Sequence, residues 1–164
     1  MTKVLGIDPG LEDTGWALIE VDGRNKITLK EFGLIKTSSK LALSKRLKEI
    51  YESVGSKIKE FSPDRAAIEE IYFIDKIKTQ SLTTHSRGVI LLAFENFNIP
   101  YSEYNPRVVK KTVTGNGNAQ KQQIQSVIAM MFSIKEKIYP DVADAIAIAL
   151  TDLRLFELRK KNIL

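Results

Sequence analysis

Residues 1–21 read MTKVLGIDPGLEDTGWALIEV, and the GIDPG stretch at Gly6–Gly10 is an odd way for a β-strand to end. Val4, Leu5 and Ile7 read as an apolar strand over residues 3–7, and residues 14–21 read as a second strand. The Pro9-Gly10 pair between them marks a turn. Asp8 therefore stands at the end of an apolar strand, where an unpaired carboxylate costs several kcal/mol or shifts its pKa. Taken alone, it is as readily a turn-forming Asx residue.

Outward from this hairpin, residues 27–36 read as a third strand. The turn Asp22-Gly23-Arg24-Asn25 joins it to the second as an antiparallel hairpin. Leu43, Leu47, Ile50, Val54, Ile58 and Phe61 then recur at helical spacing and predict an amphipathic helix, broken at Ser62-Pro63-Asp64. Ala66-Ala67-Ile68 is a short apolar run, read as a buried fourth strand that ends at Glu69. A helix over about 79–97 and a fifth strand over 101–104 follow. Helical stretches around 107–113 and 119–131 flank the loop Thr114-Gly115-Asn116-Gly117-Asn118, and the last helix starts near Pro140. The order βββαβαβα with two late helices predicts one α/β domain over residues 1–164, a five-stranded mixed sheet with helices on both faces. Trp16 is assigned to the core.

Composition excludes several chemistries. The 164 residues contain no cysteine, so disulfides, zinc-thiolate sites and thiol nucleophiles are ruled out, and a reducing cytoplasm fits. His85 is the single histidine, which rules out a multi-histidine zinc site. No apolar run approaches the ~20 residues that span a bilayer, and the amino terminus lacks a signal-peptide layout. A cytoplasmic protein with no membrane association is expected. The net charge of +5, from 25 Lys and Arg against 20 Asp and Glu, leans towards a polyanionic partner but suits an ordinary basic surface equally.

The acids carry more information. If the first and fourth strands are parallel neighbours, Asp8 and Glu69 emerge at the same carboxyl edge of the sheet, where α/β proteins bind ligands. Asp141 and Asp144 are three residues apart and share one helical face. Acids in a first helical turn also simply complement the helix dipole. Four carboxylates brought together would repel unless cations neutralise them, and oxygen donors without His or Cys select Mg²⁺ or Mn²⁺. A carboxylate cluster holding two such ions suits phosphodiester hydrolysis.

The stretches GIDPG and TGWAL, then AAIEE (66–70), then PDVADAIAIAL (140–150) resemble, in order and spacing, the motifs of the RuvC family of Holliday-junction resolvases. HSRGVILLA (85–93) and YNPRVVKKTVTGNGNAQKQQIQ (104–125) resemble that family's middle section. The resemblance runs from about residue 3 to residue 153 and implies a ribonuclease-H-like fold and a crossover junction endodeoxyribonuclease of recombination and repair. It implies a catalytic, metal-binding tetrad of Asp8, Glu69, Asp141 and Asp144. Lys110 and Lys121 fall on its phosphate-side lysines, which offset transition-state charge or protonate the leaving oxygen. Glu70 is a bystander, since strand alternation turns it the other way. Mg²⁺ is the expected cofactor, two ions per site, with Mn²⁺ able to substitute. A four-way DNA junction, a second copy of the chain and branch-migration proteins of the RuvA and RuvB type are the expected partners. The apolar run Val89–Phe94 makes the helix near 79–97 the expected dimer surface.

Arg87 matches an arginine of the family and is expected to contact a phosphate. Tyr72 and Phe73 are the two aromatics assigned to DNA binding, with Tyr72 matching the aromatic wedge at the junction centre. Core packing is the default for either ring, and with Tyr72 as the wedge Phe73 is the buried one. The sequence departs from the family at Ile74-Asp75-Lys76 and at His85-Ser86, which makes His85 a DNA-contacting or dimer-surface residue rather than a catalyst. Other readings are a ribonuclease-H-like domain that binds branched nucleic acid without cutting, and a related nuclease acting on other DNA or RNA. An actin-like kinase shares GIDxG, but 164 residues leave no room for its second domain.

A wedge is exposed in the free protein, so Tyr72→Ala is expected to lose roughly 1–3 kcal/mol of junction binding or opening with little change in melting temperature. Phe73→Ala, read as a buried ring, is expected to cost about 3–5 kcal/mol of stability. Thermal melts beside 2-aminopurine fluorescence at the junction centre measure both.

Overall fold

In a computed structural model, which describes residues 1–70 and 77–160, the chain opens with an antiparallel meander. It comprises β1 (Thr2–Asp8), β2 (Asp13–Val21) and β3 (Ile27–Lys36). Then follow α1 (Leu43–Phe61), β4 (Arg65–Glu69), α2 (Ile77–Asn96), β5 (Tyr101–Tyr104), α3 (Pro106–Thr114), α4 (Lys121–Met131) and α5 (Pro140–Lys160). The five strands form one sheet in the order β3-β2-β1-β4-β5, with β4 parallel to both β1 and β5. The expected mixed five-stranded sheet is present, with element limits displaced by a residue or two. Tyr72 and Phe73 lie outside the described residues.

Strand alternation divides the core in two. Leu5, Ile7, Ala66 and Ile68 pack with Ile50, Val54 and Ile58 of α1 and Ile90, Ala93 and Phe94 of α2. Val4, Ala67 and Tyr104 face the other way, towards α3, α4 and α5. Trp16 is buried on the α1 side and stacks on Phe61, with ring centroids 5.7 Å apart. Only one side of α2 is covered: Ile90, Ala93 and Phe94 are buried, while Leu82 is 45% and Leu92 52% exposed.

Nearly every side chain of α5 from Val142 to Leu153 is buried, as expected of a helix apolar all round. It lies so close to the sheet that no side chain fits between at two points. A Cβ on Gly6 would stand 2.3 Å from the Ala145 carbonyl oxygen and 2.7 Å from the Ala149 Cβ. One on Gly15 would stand 2.0 Å from the Asp141 carbonyl oxygen. Further along, Asp152 of α5 is fully buried and accepts hydrogen bonds from Arg65 (2.9 Å to Oδ1) and the Tyr104 hydroxyl (2.9 Å). This fixes the helix to β4 and β5. The acceptor beside its hydroxyl adds to burial in pushing the Tyr104 phenol up to about 12.

Gly6→Ala is therefore expected to overpack the interface between α5 and the sheet, at a cost of roughly 1–3 kcal/mol. Gly23→Ala in the open hairpin turn meets nothing within 4 Å and is expected to be near neutral. Paired urea denaturation curves at constant m-value check the contrast.

Candidate active site

β1 and β4 pair in parallel with Ile7 opposite Ile68, so the residues that follow them, Asp8 and Glu69, emerge together at the carboxyl edge. Alternation also puts them on the same face. Val4 and Gly6 precede Asp8 on the α5 side, and Ala67 precedes Glu69 there. The first turn of α5 comes down over Gly15, the register partner of Asp8, and this brings Asp141 and Asp144 to the same edge.

A cavity of about 180 Å³ opens at this point, lined by Asp8, Glu69, Asp144, Lys110 and Lys121 among others. Its apolar walls are Pro106, Val109, Ile124 and Ile148. Three of the four expected acids and both expected lysines share it. Asp141 does not line it, although its charge acts on both Asp8 and Asp144. Glu70 does not line it either. Lys110 projects from α3, whose start is set by Pro106 at the first helical position and by the Asn105 side chain accepting from the Arg107 amide. Lys121 opens α4 and lies 3.6 Å from Asp144. The apolar wall residues were legible only as helix core positions; nothing in the sequence marks them as lining a site.

The electrostatics are strongly anionic. Burial, reinforced by Asp144, Glu69 and Asp141, holds the Asp8 carboxyl well above the usual carboxylate range. Burial and then Asp144 raise Glu69 to about 7, against the opposing pull of Lys121 and Lys110. Burial also raises Asp144, although Lys121 works the other way. For Lys121, burial disfavours the ammonium, but Asp144, Asp8 and Asp141 outweigh it and push the pKa up. It stays protonated at neutral pH and acts as a fixed positive charge.

Among the described residues, Asp8 and Glu69 have no hydrogen-bond or ion-pair partner for their carboxylates, and Asp8 does not form an Asx turn. The turn is held by Thr14 instead, whose hydroxyl donates to the Gly10 carbonyl at 2.6 Å and accepts from the Gly10 amide at 3.4 Å. That hydroxyl role was not read from the sequence. The four acids also stand further apart than the sequence reading implied. Among the described residues, no three His, Cys, Asp or Glu side chains are close enough to hold a metal ion as they stand. The donor chemistry still fits a hard divalent cation: the cavity offers carboxylate oxygens with neither thiolate nor imidazole.

Two further residues singled out in the sequence lie outside the cavity. His85 is exposed on α2 and does not line the cavity. Arg87, expected to meet a phosphate, forms an ion pair with Glu103 and donates to the Glu69 carbonyl at 3.4 Å.

The family model for the crossover junction endodeoxyribonuclease RuvC matches residues 4–152. This chain belongs to the RuvC family. It is 42% identical over 147 residues to the RuvC of Alkaliphilus metalliredigens, covering 89% of each chain. It is 40% identical over 148 residues to that of Thermosipho melanesiensis, covering 90% of this chain and 94% of the relative. Among solved structures, Thermus thermophilus RuvC in complex with a Holliday junction substrate superposes with a TM-score of 0.88 at 28% identity, covering 97% of both chains. The yeast mitochondrial resolvase Ydc2, at 15% identity and a TM-score of 0.64, shares the fold. The sheet is thus the ribonuclease-H-like one, and the chain is an endonuclease of the RuvC type.

The raised carboxyls make stability pH-dependent without metal. Between pH 4.5, the ordinary glutamate value, and about 7, the folded protein keeps a proton on Glu69 that the unfolded chain has released. Stability is then full below this window and falls as pH rises through it. In a chelator, wild type is expected to lose on the order of 2–3 kcal/mol across the window from Glu69, with Asp8 adding loss of the same sign. Glu69→Gln should flatten the curve. Denaturant midpoints measured from pH 4 to 8 check this, and a Glu69→Gln curve parallel to wild type would remove the carboxylate as its cause.

Proposed function

We propose that this RuvC-type endonuclease cuts four-way DNA junctions by metal-dependent phosphodiester hydrolysis, with Asp8, Glu69, Asp141 and Asp144 as its metal-binding carboxylates. The observation that carries the proposal is the cavity in which Asp8, Glu69 and Asp144 face Lys110 and Lys121 at the carboxyl edge of two parallel strands. Three part-buried carboxylates with raised pKa values, set in one cavity with two lysines, suit a ligand bearing both cations and phosphate. Asp141 is included because its charge reaches two of the other three.

When bound, Mg²⁺, or Mn²⁺ in its place, supplies an activated water and neutralises phosphate charge, with two ions per site. The chain's own groups do the rest. Asp8 and Glu69, fixed on strand ends, set the position of the cation cluster, and the apolar walls limit water. Lys121 is held beside Asp144 and Lys110 stands across the cavity, so both ammoniums can meet charge that builds on the phosphate oxygens in the transition state. Either can give a proton to the leaving oxygen.

A four-way junction needs two symmetry-related nicks, so the working form is a homodimer with two-fold symmetry. Leu82 and Leu92, exposed on α2 with His85 and Val89 between them at helical spacing, favour this helix as the dimer face. The unit is one domain over residues 1–164, acting in the cytoplasm with branch-migration proteins of the RuvA and RuvB type. Among the described residues no helix is long and apolar enough to cross a membrane.

A synthetic four-way junction incubated with the protein and Mg²⁺, beside duplex and RNA–DNA hybrid controls, tests the proposal. Paired nicks in the junction alone and a light-scattering mass of two chains are expected. Asp8→Asn, Glu69→Gln, Asp141→Asn and Asp144→Asn should each abolish or nearly abolish cutting while junction binding persists. Lys110→Ala and Lys121→Ala should slow cleavage at saturating protein more than they weaken binding. Wild-type cutting by any acid variant removes that residue from the set, and a loss confined to affinity makes the lysines ordinary phosphate contacts.

A further inference from the structure

Arg87 and Glu103 sit on the opposite side of the sheet from the cavity, yet they hold the backbone from which Glu69 projects. On β5, Tyr104 faces the α5 side and is part of that core. Its neighbour Glu103 therefore turns towards α2, where it pairs with Arg87. The same guanidinium donates from Nε to the carbonyl of Glu69. That carbonyl belongs to the last residue of β4, and beyond it the Glu70 amide donates to Tyr104 at 2.9 Å. Arg87 thus ties three elements, α2, β4 and β5, at the residue where β4 ends. Its side chain is 17% exposed and lies behind the sheet with respect to the cavity, a poor position for reaching a phosphate there.

We infer that Arg87 is a positioning residue for Glu69, and that Glu103 is its anchor. The planar guanidinium uses one edge for the carboxylate and another N–H for the carbonyl, which lysine, a point charge with a flexible stem, reproduces only in part. With the strand end fixed, the Glu69 side chain leaves the sheet on the α5 side at a set height beside Asp8. Without the tie, the end of β4 gains freedom just where a metal-binding carboxylate must hold its place, and outer contacts of this kind typically govern about 10- to 100-fold in metal affinity or activity. The inference rests on the reading of Glu69 as a metal-binding residue.

The test uses the full chain as Arg87→Ala, Arg87→Lys, Glu103→Gln and Glu69→Gln. Mn²⁺ affinity is read from the metal-induced rise in melting temperature of the free protein. Cleavage is read in single turnover at saturating protein, and junction affinity in chelator as a function of salt. Arg87→Ala is expected to weaken Mn²⁺ binding and slow cleavage together, by about 10- to 100-fold, with junction affinity and its salt slope unchanged. Glu103→Gln should fall in the same direction, and Arg87→Lys should recover part of the loss. Should Arg87→Ala fail to fold, Glu103→Gln, which keeps shape and removes only charge, carries the same test. A weaker junction affinity with a salt slope reduced by about one makes Arg87 a phosphate contact and overturns the inference. So does a lower melting temperature with Mn²⁺ binding and cleavage intact. Wild-type cleavage by Glu69→Gln would instead overturn the underlying reading of the site.

Discussion

The close approach of α5 to β1 and β2 is the contact on which the rest of the molecule depends. Where Gly6 and Gly15 face the helix, backbone meets backbone, and any side chain larger than hydrogen would displace α5 or the sheet. This short distance delivers the amino-terminal turn of α5 to the strand ends of β1 and β4. It also leaves room for α3 and α4 to pack against the outer surface of α5, and these helices bring Lys110 and Lys121. A helix held off the sheet by intervening side chains would carry Asp144 away from Asp8.

Within that frame the site is a balance of opposed charges. Asp8, Glu69 and Asp144 are all held less acidic than free carboxyls, first by burial and then by neighbouring acids, while Lys121 is strengthened as a cation by Asp144, Asp8 and Asp141. Folding thus retains an arrangement that is unfavourable for the isolated protein, kept by apolar packing on both faces of the sheet. Such stored repulsion is commonly found where a protein binds counter-charges.

The strands and helices were legible from their apolar patterns. Short continuous apolar runs mark β1 and β2, and spacing of three and four marks α1. The order of elements then nearly dictates the mixed sheet. Asp8 and Glu69 were legible as companions because two apolar strands end on them. Asp141 was harder: its spacing from Asp144 predicts a shared helical face, but whether both enter the cavity depends on how α5 rolls over Gly15, which spacing does not specify. Arg87 was placed from a local motif, yet its contact comes from Glu103, sixteen residues away, and from the parity of β5. Thr14 illustrates the same limit. A hydroxyl that closes a turn four residues back looks in sequence like any strand threonine.

The order of these elements along the chain has a consequence for synthesis. Asp8 ends β1 and is synthesised well before Asp144 of α5, yet the two meet across the same cavity. Until α5 is complete, β1 and β2 have no partner for their glycine-lined face, and a nascent chain carries the first two acids without the helix that supplies the others. Pairing the earliest strand with the latest helix is a long-range contact of the kind that slows folding. Under the proposed role of the four acids, a chain in which α5 has not yet docked holds only half of the cutting site, so DNA is spared until the fold is closed.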